Sequence, residues 1–482
     1  MIFSSTLFLY LFLPITLFGY YLLPRMFRNY WLLLASLIFF AWGGVSYTLI
    51  LVVSIVANYL FGLFIQKNIE RRRSWYWLCA GVTINLLLLG VFKYTNFLVI
   101  NINRLLDFVA LPLVPETGIV LPIGISFYTF HSVSYLVDIY RGKASAQKNI
   151  FDLSLYIAMF SQLVAGPIIR YSDVSGQLKS REHSWLRFGN GVERFLTGLG
   201  KKVLLANTLG SVVDTLFKTD PAELGALNAW LGAICYSLQI YCDFAGYSDM
   251  AIGLGKMFGF EFSENFNFPY LARSVKEFWR RWHISLSTFF RDYVYIPLGG
   301  NRVNNQRRYL NLVIVFFLTG FWHGAAWAFI AWGLFHGFFM ILENLFLEKI
   351  FLRRGKFFAN LYTLLIVVFA WVLFRADSIK YAGNYWKAMF DFTISSKQAA
   401  LFYSFMNHEF LAVILITILG SFGFFKFISG GIQRVLCSEK PVAVALSYTY
   451  HLGASVVYVL ILVLSTMYLV AGSYNPFIYY RF

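Results

Sequence analysis

Long apolar runs make up most of the chain, and the sparse polar and basic clusters between them mark where its elements end. Residues 4 to 23 carry no charge, which predicts a first membrane-crossing helix. It has neither the basic lead-in nor the small-residue cleavage site of a secretory leader, so it reads as a span. Arg25 and Arg28 follow. Residues 30 to 42 predict a second span, the loop Gly43 to Ser46 is uncharged, and a third span ends at Lys67 ahead of Arg71, Arg72 and Arg73. A fourth covers Trp75 to Phe92. A fifth, near Ile119 to Tyr140, closes on Arg141, Lys143 and Lys148. Basic loops alternate with neutral ones, and by the positive-inside rule the N-terminus is expected outside.

After residue 150 the pattern becomes irregular. Gly166-Pro167 interrupts an apolar stretch, and residues 172 to 202 mix charges with Trp185, Phe188 and Phe195, which predicts broken, re-entrant or interfacial helices. Clean spans return near 203 to 217 and 226 to 258. A polar and aromatic segment, 261 to 308, precedes the apolar stretch 309 to 346, and the last spans lie near 357 to 374, 410 to 428 and 443 to 471. The economical reading is one all-α polytopic membrane domain over residues 1–482. Residues 1–150 form its N-terminal spans, 151–346 its core and 347–482 its C-terminal spans.

Composition agrees. Of 482 residues, 59% are hydrophobic and only 13% charged, against roughly 25% charged in a soluble domain. A soluble globular protein is excluded. The net charge of +17 would suggest nucleic acid in a soluble chain; here the basic residues flank spans, and no nucleic-acid partner is expected. Cys79, Cys235, Cys242 and Cys437 have no metal-binding spacing and read as packing residues.

The candidate chemistry lies in the histidines. His183 and His408 sit in polar loops. For His131, His336 and His451, a packed ring and a functional one stand level, because ionisable groups inside membranes lean functional. His323 is different. It lies in Phe317-Leu-Thr-Gly-Phe-Trp-His-Gly-Ala-Ala-Trp327, with Gly320 and Gly324 allowing close approach and Phe321, Trp322 and Trp327 excluding water. A neutral, shielded imidazole is what a general base requires. His336 lies 13 residues on, and one straight helix would separate the two rings by about 20 Å. Only a hairpin near Ala325 or Trp327 would unite them, so a structural role is expected for His336.

His283 follows Ser274 and Glu277, which fit a capping box. On the helix this predicts, Trp279, His283 and Ser287 share one face while Lys276 and Arg280 share another. The same helix reads equally as an interfacial one meeting lipid phosphates. Two polar stripes cross apolar sequence at helical spacing: Gly124, Tyr128, His131, Tyr135 and Asp138, and then Gln239, Asp243, Gly246 and Tyr247. They line a tunnel or bond helices together. The glycines from Gly253 to Gly259 lack phosphate-loop spacing, Ser126, Ser132 and Ser161 lack a nucleophile elbow, and no metal motif is present.

These residues resemble the membrane-bound O-acyltransferase (MBOAT) family, most closely its bacterial alginate O-acetylation branch. The resemblance rests on Leu121-Pro-Ile-Gly-Ile-Ser-Phe-Tyr-Thr-Phe130, Gln162-Leu-Val-Ala-Gly-Pro-Ile168, Tyr241-Cys-Asp-Phe-Ala-Gly-Tyr-Ser-Asp-Met250 and Asn265-Phe-Asn-Phe-Pro-Tyr270. It continues in Phe278-Trp-Arg-Arg-Trp-His-Ile-Ser-Leu-Ser287, Tyr295-Ile-Pro-Leu-Gly-Gly-Asn-Arg302, Gly320-Phe-Trp-His-Gly-Ala325 and Pro476-Phe-Ile-Tyr-Tyr-Arg-Phe482. It implies a bundle of about ten or eleven transmembrane helices, with re-entrant and interfacial helices, around a central tunnel. The family's near-invariant histidine then corresponds to His323 and its second polar position to His283, with Trp279, Ser287, Asp243, Gln239, Tyr247, Trp322, Tyr128 and His131 as substrate-binding or tunnel-lining candidates.

The resemblance further implies an inner-membrane enzyme without a bound cofactor. It would carry an acetyl group from cytoplasmic acetyl-CoA toward hydroxyls of an extracytoplasmic polysaccharide, with a periplasmic or membrane-anchored acetyltransferase as partner. His323 would act as base, and His283 would position substrate or steady the oxyanion. Acetylation of peptidoglycan or another envelope glycan, a transporter for a solute or lipid-linked sugar, and an envelope scaffold are the alternatives.

Overall fold

Every regular element among the described residues is a helix, the form in which a segment crossing lipid satisfies its own backbone hydrogen bonds. The computed structural model describes residues 1–482 except 165, 354, 437–440, 473 and 477–482. Cys437 and all but Pro476 of the closing motif therefore lie outside the described residues. Among those described, five helices are long and apolar enough to cross a bilayer: Val45–Lys67, Arg73–Phe108, Trp327–Leu347, Lys356–Arg375 and Ser447–Val470. Ser396–Ser404 and His408–Ser421, bent by 75°, make a sixth if they form one broken span. The other apolar runs behind the expected ten or eleven crossings fold as shorter or more polar helices. Phe8–Leu22 and Arg28–Ala41, for example, reach only about 20 Å, against a hydrocarbon core of about 30 Å.

Two boundaries differ from the sequence reading. The helix expected to stop at Phe92 runs from Arg73 to Phe108, 36 residues or about 54 Å. Residues 93 to 108 contain neither glycine nor proline, so nothing in them ends the helix. The next helix begins at Ile125, not near Ile119, because Pro122 and a left-handed Gly124 (φ 77°) shape its start. A side chain on Gly124 would press on the Leu163 carbonyl. The predicted break at Gly166-Pro167 is present. Helices Ile150–Ala158 and Phe160–Leu163 give way to irregular backbone, with Ile168 and Ile169 buried, so that its polar groups are kept from lipid.

The helices group into two compact units. One comprises Met1–Val192, Ala251–Ser263 and Gly324–Ala326; the other comprises Glu193–Met250, Glu264–His323 and Trp327–Phe482. In the first, Asn58 and Asn85 exchange amide hydrogen bonds of 3.1 and 2.7 Å between Val45–Lys67 and Arg73–Phe108, a polar clasp between apolar helices. The long helix Pro221–Met257, broken at Gly225 (φ 64°), belongs to the second as far as Met250. Gly198 and Gly246 meet backbone to backbone there, and the ion pairs Lys202–Asp243 (2.8 Å) and Lys201–Asp249 (2.6 Å) join the same two stretches.

Candidate functional site

His323 ends the helix Asn305–His323, and Trp327–Leu342 follows after a three-residue break. The two helices form a tight hairpin. A Cβ on Gly320 would collide with the Phe329 carbonyl, and one on Gly333 with the Phe316 carbonyl, so these glycines permit the close approach. The hairpin overturns the expected separation of His336 from His323. The Trp332 ring lies 4.9 Å from that of His323 and 5.2 Å from that of His336. His323 is 7% exposed and also meets Trp322 and Phe374, at 4.9 and 5.4 Å. The expected aromatic shield is there, although Trp332 and Phe374 supply much of it and the sequence pointed to Phe321 and Trp327.

His283 departs from its expected place. Ser274 does cap a helix, its Oγ accepting from the Glu277 amide at 3.0 Å. The buried Glu343 carboxylate adds bonds from the Val275 and Lys276 amides, 2.6 and 3.2 Å. That helix, however, ends at Arg281, and His283 stands in the left-handed region (φ 42°, ψ 55°) before a second short helix, Ile284–Phe290. Trp279, His283 and Ser287 therefore do not share one helical face. The Ser287 hydroxyl turns back to the Trp282 carbonyl at 3.4 Å. Trp279 instead joins the other histidine, 5.3 Å from the His336 ring and 5.7 Å from Trp332.

Asn265 holds the displaced His283. Its Oδ1 accepts from the Ser285 amide (3.1 Å) and the Ser285 hydroxyl (2.9 Å), and its Nδ2 donates to Ser248 (3.0 Å). An oxygen fixed as acceptor by a backbone N–H makes His283 Nδ1, 3.2 Å away, the donor. Nε2 is then the lone-pair nitrogen, buried and without a hydrogen-bond partner among the described residues. The ring is fully buried, and burial holds its pKa down at about 3, so it stays neutral. In this tautomer Nε2 accepts a proton or a hydroxyl hydrogen and cannot donate to an oxyanion. The Trp322 ring lies 6.3 Å from His283 and directly against His323, linking the two histidines through one indole. The buried indole N–H groups of Trp279 and Trp332 have no hydrogen-bond acceptor among the described residues.

Some members of the polar stripes join one segment to another. Asp243 is paired with buried Lys202, which also donates to the Pro476 carbonyl. Gln239 packs on Gly210, and Tyr247 is buried. In the first unit, His131 stacks near Tyr156 at 5.5 Å, and Tyr156 donates to the Ile169 carbonyl at 2.9 Å. Asp138 accepts from the Ser172 amide at 3.2 Å. Tyr128 is fully buried, its hydroxyl without a partner among the described residues. Sequence reasoning missed Asn265, Trp332 and Glu343. Asn265 opens a motif that was already recognised, but nothing in its spacing connects it to His283.

Buried imidazoles and indoles at a helix hairpin define a helical membrane protein built for group transfer away from bulk water. The chain belongs to the membrane-bound O-acyltransferase family, whose model matches residues 117–383, a range containing every histidine of the cluster. It is an acyltransferase. It is 39% identical over its whole length to the whole of an Azotobacter vinelandii protein described as "Probable alginate O-acetylase AlgI". It is 45% identical, over 81% of the chain and 75% of the relative, to a Pseudomonas aeruginosa protein of the same description. A Helicobacter pylori "Peptidoglycan O-acetyltransferase" is 34% identical over 100% of the chain and 98% of its own length.

Proposed function

We propose that this protein transfers an acetyl group from cytoplasmic acetyl-CoA toward hydroxyls of an alginate-type extracytoplasmic polysaccharide, acting with an envelope acetyltransferase. The observation that carries this reading is the shielded His323 at the hairpin, beside a second imidazole whose tautomer is fixed. The acceptor hydroxyl gives its proton to His323 as its oxygen attacks the thioester carbonyl. The tetrahedral intermediate then collapses, the carbon–sulfur bond breaks, and the proton passes from the imidazolium to the departing thiolate. His283 Nε2 accepts a hydrogen bond from the acceptor and orients it, while the Trp279 and Trp332 indoles supply the donors for the oxyanion. Trp322 packs the two imidazoles, and Asp243, Gln239, Tyr247 and Ser287 brace helices around them. Roles for Tyr128 and His131 as lining of a through-passage rest on their burial and polarity.

The test is transfer from labelled acetyl-CoA to alginate oligosaccharide by the reconstituted protein, with and without its envelope partner. His323→Ala is expected to lower the rate by roughly 10²–10⁴. An unchanged rate removes His323 from the chemistry. Acetylation of peptidoglycan fragments in preference to alginate would reassign the acceptor and leave the chemistry standing.

A further inference from the structure

A cavity of about 740 Å³ lies in the first unit, where the first helix ends, and none of the reaction's histidines is among its described lining residues. Phe18 and Leu22 form one wall, Trp185 another, and Arg25, Arg28 and His183 the polar end; no carboxylate is among the described lining residues. The polar end is built and not merely exposed. The Tyr20 hydroxyl donates to the Phe258 carbonyl at 2.9 Å and so accepts from His183 Nε2 at 2.8 Å and from Arg181 at 3.2 Å. Gly259, at φ 83°, leaves room for the His183 ring, which a Cβ would crowd at 2.9 Å. Arg28 donates to the Leu23 carbonyl at 3.3 Å and lies over the Tyr20 and Tyr21 rings. Burial first, and then the charges of Arg28, Arg181 and Arg25, hold the His183 pKa below its usual value, a sign of the positive field at this spot. Of the nearby acids, Glu182 precedes His183 and is exposed, and Glu261 is engaged by Arg187 at 3.2 Å.

The apolar side continues out of the cavity. Ile15, Phe18 and Leu22, three and four residues apart on one helical face, are 53%, 71% and 71% exposed, and Trp185 is 90% exposed. In a membrane protein that face meets acyl chains, and an indole at its end suits the headgroup level. Two guanidiniums with no ion pair and no carboxylate beside them among the described lining residues, at the end of an apolar stripe, match a molecule carrying a phosphodiester on two hydrocarbon tails. A soluble phosphate would leave the apolar wall unused.

We propose that this cavity binds an anionic phospholipid, its phosphodiester seated between Arg25 and Arg28 and its acyl chains laid along Ile15, Phe18 and Leu22. The site is separate from the acyl-transfer reading and stands or falls without it. The test titrates the full-length protein in nanodiscs or mild detergent with dioleoyl phosphatidylglycerol and with dioleoyl phosphatidylcholine, reading bound lipid by native mass spectrometry. Coenzyme A and inorganic phosphate serve as competitors.

Phosphatidylglycerol is expected to bind at least about tenfold more tightly than phosphatidylcholine, with neither soluble competitor displacing it. Arg25→Gln should remove about fivefold of that preference, and the Arg25→Gln/Arg28→Gln pair nearly all of it. The single variant guards against misfolding, because Arg25 is exposed whereas Arg28 also ties down Leu23. Equal binding of the two lipids, or a preference unchanged in a folded Arg25→Gln protein, overturns the proposal. Displacement of phosphatidylglycerol by coenzyme A overturns it too, assigning the arginines to a soluble nucleotide phosphate.

Discussion

His283 occupies backbone space that costs most side chains of this kind of order 1–3 kcal/mol, and Asn265 is what keeps it there. The Asn265 backbone carbonyl accepts from the Ile284 amide at 2.9 Å while its side chain fixes the ring nitrogen. Asn265→Ala should leave the protein folded enough to purify yet slow transfer by about tenfold or more, because a ring free to flip loses the presented Nε2. Initial rates at saturating acetyl-CoA check this, and an unaltered turnover would show that the tautomer is incidental. A pH prediction follows from the burial of the same ring. The folded protein refuses a proton at His283 until about pH 3, whereas an unfolded chain takes one up near the ordinary 6.5. The contribution to stability is thus intact above about 6.5 and is lost progressively as the pH falls toward 3. Melting of the detergent-solubilised protein should drop between pH 6.5 and 5, and drop less in His283→Gln.

At the level of elements, the hairpin shows what the sequence discloses and what it hides. The stretch 309 to 346 and the helix Arg73–Phe108 are similar in length, yet one folds back and the other stays continuous. Length alone does not decide between them. What does is Gly324-Ala-Ala at the break, with Gly320 and Gly333 placed to meet across it, and that pairing is invisible until both helices are laid side by side. For the same reason His323 was legible as a buried imidazole while its neighbour Trp332 was not. Gly333→Ala should pry the hairpin open and abolish transfer, whereas Gly383→Ala, where a Cβ meets nothing within 4 Å among the described residues, should do nothing; expression, melting and activity read the contrast. The stripe at Gln239 and Asp243 was legible as facing away from lipid, but its partner Lys202 was not, since no local spacing relates residues 41 apart. Asp243→Ala strands a buried ammonium and should destabilise by about 3–5 kcal/mol. The Lys202→Met/Asp243→Leu pair should recover most of that. Recovered stability with lost activity would mean that Asp243 also touches substrate.

For the whole molecule, the class was readable from composition and from the order of motifs, because charge scarcity and spans of apolar sequence report directly on the solvent. The lengths of individual helices were not, because the short helices Phe8–Leu22 and Arg28–Ala41 carry the same apolar signal as the longer Val45–Lys67. Orientation is open to direct measurement. With single cysteines at Ser46 and at Arg72 in a cysteine-free background, an impermeant maleimide added to intact cells should label the first and spare the second; the reverse pattern would invert the topology. The division into units carries a consequence of its own. The backbone changes sides at 192/193, 250/251, 263/264, 323/324 and 326/327, and each unit is a patchwork of three stretches. Neither is a portable cassette. A recombination event that exchanged one contiguous block with a relative would sever both at once, so chimeras of this enzyme should work only when the swapped piece is small or nearly everything is swapped.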